Sequence, residues 1–185
     1  MRVRFIVIIL FALLLNTVVL VAQDVPATAP AEADTAAFLA KHFGGDLAVL
    51  PKSPVLTGDM DGDSSEDVVF VVTGKNPLAN EAGHNYKVLD PYNAYFGWGD
   101  PKMSMGFVSM DPGPAKYLAV IHGWRLPTPK SKFILVNIPF QSLSMGSFKV
   151  KKKTVSAIIA EEAGGVNAAV FFDGKKYKWE AFGAN

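Results

Sequence analysis

Between residues 58 and 70 the chain reads Gly-Asp-Met-Asp-Gly-Asp-Ser-Ser-Glu-Asp-Val-Val-Phe. Counted from Asp59, carboxylates stand at positions 1, 3, 5 and 9, with glycine at position 4 and an apolar run directly behind. Acids at alternate positions of a tight loop can converge on one point. Gathered there they repel one another unless a cation neutralises them. Calcium suits such a loop, because it accepts about six to eight oxygen ligands at variable geometry. A backbone carbonyl near Ser65 and water would complete its shell. Magnesium would demand stricter octahedral geometry, and zinc would call for His or Cys.

The pattern is not that of an EF-hand. Glycine falls at position 4 instead of 6, position 12 is Phe70 instead of Glu, and a strand follows where a helix would be needed. It resembles the calcium loop of FG-GAP or VCBS-type repeats, D-x-(D/N)-G-D-G-x-x-D ahead of an apolar strand. The resemblance implies that Asp59, Asp61, Asp63 and Asp67 are the ligands and that Ca2+ is the ion. Ser64 stands where those repeats carry their second glycine. The likeness covers about a dozen residues in a single copy, so it implies the loop and not a propeller. An ion held this way has a structural task, tying a turn to a strand. The competing reading is an acidic surface turn without metal.

Other chemistry is scarce. The chain lacks cysteine, which excludes disulfides, thiolate metal sites and cysteine nucleophiles together. His122-Gly123-Trp124 and Ser142-Leu143-Ser144-Met145-Gly146 imitate parts of an α/β-hydrolase site. That class needs a His after its nucleophile, and His42, His84 and His122 all precede Ser144. His84 and His122 read as hydrogen-bonded scaffold, and His42 as a solvated helix residue. Lys149, Lys151, Lys152 and Lys153 read as a charged edge strand that discourages aggregation. A formal charge of +1, with no nucleotide fingerprint, speaks against a nucleic-acid partner. Tyr92, Tyr95, Trp98 and Trp124 are candidates for a surface that takes a protein or carbohydrate ligand, the alternative for each being core.

The elements that must position these residues begin after an apolar N-terminus. Arg2 and Arg4 precede an apolar run over 5–22, the form of a secretory signal peptide or, uncleaved, of an N-terminal membrane anchor. Without Arg2 and Arg4 the 18 basic groups fall to 16, against 17 acidic ones. Residues 23–33 are a flexible Ala/Pro leader. A single globular domain is expected over 34–185. It opens with a short helix from Asp34 to about Phe43, halted by Gly44-Gly45. Strands are expected over 47–50, 68–72, 117–122, 133–138, 155–160, 168–172 and 177–182, the last alternating Tyr177, Trp179 and Ala181 with Lys176, Lys178 and Glu180. Residues 75–114, rich in Pro, Gly and aromatics, read as a long ordered excursion. The expected fold is mainly β, an antiparallel, sandwich-like sheet with a short N-terminal helix, α+β at the margin.

The function that follows is an extracytoplasmic, non-enzymatic domain of bacterial type, periplasmic or secreted, with a structural calcium loop, serving binding or envelope assembly. The alternative is a small extracytoplasmic hydrolase using acids and His among residues 75–124.

Overall fold

The run behind the acidic loop, Val68 to Val72, shows no polar alternation, and a strand of that kind must be covered on both faces. In the computed structural model it becomes β3 (Asp67–Gly74), whose first six residues are all buried. The structure describes residues 32–100, 115–150, 153–162 and 164–182.

Strand β3 sits inside a six-stranded sheet. β5 (Lys116–His122) pairs along one side of it, while β1 (Leu47–Val49) and β2 (Val55–Gly58) take successive stretches of the other. Beyond β5 lie β6 (Ser131–Leu135) and β4 (Lys87–Leu89), the β4–β6 pair being parallel and the others antiparallel. A second, four-stranded antiparallel sheet runs in the order β10-β9-β8-β7, from β7 (Ser142–Val150), β8 (Lys153–Glu161), β9 (Asn167–Phe172) and β10 (Tyr177–Phe182).

Alternation along β3 and β5 divides the interior in two. Val69, Val71, Leu118 and Val120 face the second sheet and meet Ile158, Val170, Tyr177 and Trp179. Val68, Phe70, Ala119 and Ile121 face the other way, onto Leu39 and Phe43 of helix α1 (Glu32–Phe43). The molecule is therefore layered helix, sheet, sheet, and the central strands are apolar on both faces because each face is roofed. Burying one such Val, Leu, Ile or Phe side chain stabilises by about 1.5–3 kcal/mol. The fold is mainly β, sandwich-like with a short N-terminal helix, as the sequence indicates.

Helix α1 begins at Glu32, two residues ahead of the expected Asp34, and ends before Gly44-Gly45. His42 is not solvated: it is buried, with its ring 4.5 Å from that of Phe38. The excursion over 75–114 supplies α2 (Glu81–His84), edge strand β4 and α3 (Pro91–Tyr95) before leaving the described residues at 101. Strand β7 incorporates the serine-rich stretch that imitates a nucleophile elbow. It is an edge strand, and Lys149 on it is exposed. The apolar segment over 5–22 lies outside the described residues. Among the described residues no helix is long and apolar enough to cross a membrane.

Candidate metal centre

The acidic loop joins β2 to β3, and its shape comes from its own carboxylates. Asp59 accepts hydrogen bonds from the backbone N–H groups of Gly62 (2.8 Å) and Asp63 (3.0 Å) through Oδ1, and of Ser64 (2.9 Å) through Oδ2. Asp61 accepts from Asp63 N–H at 3.2 Å, and Asp63 from Ser65 N–H at 2.8 Å. Such carboxylate-to-amide bonds are what let Asp hold a turn against solvent. Gly62 and Ser64 both take the left-handed region, at φ 78° and 68°. Ser64 thus adopts the backbone that the second glycine of the resembling repeats would adopt without steric cost.

The loop draws Asp59, Asp61 and Asp63 together, each offering a carboxylate oxygen within 4.8 Å of the others. Asp67 stands apart in character. It is fully buried, with Oδ2 accepting from Met60 N–H at 2.7 Å and Oδ1 from Gly123 N–H at 2.8 Å. Burial pushes its carboxyl up from the usual range, opposed by those two amides. Asp61 is also pushed up, first by burial and then by the neighbouring Asp67. Asp67 joins a second group with Asp61 and His122, again within 4.8 Å. Asp61 is the member common to both groups.

Further partners of the loop come from distant positions in the chain. Lys130 donates from Nζ to Asp63 and to Ser65 Oγ, the latter at 2.9 Å. That ammonium holds the Asp63 carboxyl down, to about 2. His122, 1 % exposed, sets Nδ1 3.4 Å from Asp61 Oδ2 and 2.9 Å from Ser131 Oγ, with Nε2 2.7 Å from the hydroxyl of Tyr177. Burial keeps the imidazole pKa below its ordinary value, favouring the neutral ring. Trp124 donates from its backbone N–H and from Nε1 to Glu66, the residue just before Asp67.

The donor set of Asp59, Asp61 and Asp63 is carboxylate oxygen from one short segment, which fits a hard divalent cation such as calcium. His122 is placed to orient Asp61 and to link the loop across the sandwich to β10 through Tyr177. Sequence reasoning places His122 at a strand end, where it is, but gives no sign of its neighbours. Lys130, Ser131 and Tyr177 also escape it, since the first two reach the loop through pairing of β5 with β6 and Tyr177 through packing across the two sheets. The alternating pattern that puts Tyr177 on the inner face was the one legible clue.

Among the aromatic candidates, the structure brings Tyr92 and Tyr95 together on Trp179, leaves Trp98 exposed and separates Trp124. Tyr92 and Tyr95 pack against Trp179 at ring distances of 5.1 and 4.9 Å, and Trp98 follows on the turn after α3. Trp124 lies on the helix side of the six-stranded sheet, edge-on to Phe38, with the Arg125 guanidinium 4.3 Å from its ring centre. It belongs with the acidic loop. Trp179 Nε1 is buried without a hydrogen-bond partner, an arrangement that costs about 1–3 kcal/mol if left unmet.

No family model, curated protein or solved structure matches this chain.

Proposed function

We propose that this chain is an exported, non-enzymatic domain whose acidic loop is a structural calcium site, acting in binding or envelope assembly. The observation that carries the calcium reading is the convergence of Asp59, Asp61 and Asp63 to within 4.8 Å on a loop braced by backbone amides. The similarity of that loop to FG-GAP or VCBS-type calcium loops supports it, as does the left-handed Ser64 at their glycine position. Export is supported by the Arg2/Arg4 and 5–22 pattern of the sequence. Binding is supported by the exposed aromatic side chains after α3.

A hydrolase would draw on His122 and Asp61, the one His–carboxylate pair near the loop. The imidazole is 1 % exposed and both its nitrogens face hydroxyls of the protein, so a substrate has no path to it. The pair serves the interior.

Thermal unfolding with calcium or with EDTA tests the proposal. Binding confined to the folded state stabilises by about 2.7 kcal/mol at a hundredfold excess over Kd. For a domain of this size the midpoint rises by roughly 5–10 °C. Extracellular calcium modules bind at about 10⁻⁴–10⁻³ M, so the titration runs to tens of millimolar at constant ionic strength. Asp63→Ala abolishes the increment. Equal midpoints in calcium and EDTA, with native protein in both, would leave an acidic turn in place of a site.

A further inference from the structure

We propose that the mouth of the sandwich, at the end away from the acidic loop, binds a small amphipathic carboxylate whose head meets Lys52 and Lys116; this rests on the reading of the chain as a binding domain and names its ligand class. A cavity of about 490 Å³ opens there, within the range of roughly 300–1,000 Å³ that small-molecule sites occupy. Both sheets build it. Leu50 N–H donates to the Val71 carbonyl of β3 at 2.9 Å, and Gln141 N–H to the Glu161 carbonyl of β8 at 2.7 Å. Backbone bonds thus hold the walls before any ligand arrives.

The lining is apolar within and cationic at the rim. Leu50, Phe140 and Leu143 line the cavity and pack against the core between the sheets. Lys116 opens β5, opposite Thr73 at the end of β3 remote from Asp67. It shares a face with Leu118 and Val120, so alternation sets it toward the second sheet. Its ammonium lies 5.9 Å from the centre of the Phe140 ring, a cation held against an apolar wall. Lys52 comes from the turn between β1 and β2. Among the described residues the lining includes these two lysines and no acid. The neighbouring Glu161 takes the Ser142 hydroxyl at 2.9 Å and lies on the face of its sheet opposite Leu143 and Ala160.

The backbone at Lys52 marks this turn as more than a connection. Ser53 N–H donates to the Leu50 carbonyl at 3.2 Å, closing a turn with Pro51 and Lys52 at its centre. Proline suits the first central position, but Lys52 in the second takes φ 61°. Glycine adopts that backbone freely, whereas a lysine is strained there. Strain kept at the rim of a cavity points to a task for the side chain. A charged rim over an apolar floor is fitted to seat one anionic head whose body enters the floor. A phosphate head would be better served by a guanidinium fork or a helix N-terminus, and the described lining contains neither.

Isothermal titration calorimetry of the full chain with octanoate, below its micelle concentration, tests the assignment. Octanoate gives a saturable heat at one site, and octan-1-ol and octyltrimethylammonium bind at least roughly tenfold more weakly. Lys116→Met weakens octanoate by roughly tenfold, as expected when one partner of a charge pair is removed. Lys52→Gly separates binding from folding. It relieves the strained backbone, so the thermal midpoint holds or rises while octanoate binds roughly tenfold more weakly. A lysine kept for folding alone would show the reverse. Adsorption to the apolar run over 5–22 would be indifferent to both lysines. Absence of a saturable heat, affinity unchanged in both lysine variants, or binding of octyl phosphate without octanoate overturns the carboxylate site. If octan-1-ol binds as tightly as octanoate and Leu143→Asp abolishes both, the ligand class falls and the binding domain stands. If no amphiphile binds, the cavity is not a site, and calcium-dependent melting still judges the loop independently.

Discussion

Asp63 is the acid at which a calcium ion in the candidate loop would have to compete with Lys130. With the Lys130 ammonium donating to it, the carboxyl titrates at about 2, below the ordinary 3.8. A carboxylate depressed in the fold contributes stability that is complete above the unfolded value and is lost as pH falls from 3.8 through about 2. Lys130→Met therefore raises the Asp63 titration toward 3.8, read from its carboxyl carbon shift, and it tightens calcium because no ammonium must be displaced. An unchanged Asp63 titration in that variant would contradict the pairing. Tyr177 makes the complementary case, a neutral group whose partner is buried with it. Its hydroxyl meets His122 Nε2 at 2.7 Å. Tyr177→Phe removes that hydroxyl and leaves the buried nitrogen without this hydrogen-bond partner, a loss of about 1–3 kcal/mol in denaturant unfolding. Tyr177→Phe at wild-type stability would mean that the bond adds nothing across the sandwich.

The strands differ in how much of the structure each one holds. β5 lies between β3 and β6 and is buried on both faces, with Leu118 opposite Val71 on one side and Leu135 on the other. Leu118→Ala opens a cavity where the two sheets meet and costs about 2–5 kcal/mol. Unfolding followed by fluorescence and by circular dichroism then shifts together, since both sheets share that core. Strands of this type were legible in the sequence because their apolar runs are long and rich in Val and Ile, as at 68–72 and 117–122. The acidic loop was legible too, since local spacing alone creates it. β7 was hidden: Ser142, Ser144, Gly146 and Ser147 give a polar edge strand little apolar signature, and its pairing with β8 carries the information instead. β4 was hidden for another reason. Three residues suffice for it because β6, more than 40 positions on, supplies the parallel partner. His122 and Lys130 reach the loop through the β3–β5 and β5–β6 pairings, which no periodicity records.

At the scale of the whole molecule, the candidate calcium loop is tied to both sheets. Asp67, on β3 of the six-stranded sheet, reaches Gly123 just past the end of β5, and Asp61 reaches β10 of the other sheet through His122 and Tyr177. Ligand binding there is accordingly expected to stabilise the global unfolding transition and not a local one, so that amide exchange slows in β9 and β10 as well as in β3 when calcium is added. Protection confined to the loop would show that the link is energetically silent. The bond from Asp67 to Gly123 spans 56 positions of chain. Its carboxylate is therefore aimed only once β5 has docked on β3. An ion that takes Asp67 as a ligand beside Asp61 gains that part of its hold only after this pairing has formed. Calcium should leave the refolding rate nearly unchanged and act on the unfolding rate, lowering that arm of the chevron alone. In an environment where proteases sample every opening, the ion would then work as a timer: it sets how long a folded molecule lasts, and has no say in how quickly a new one forms.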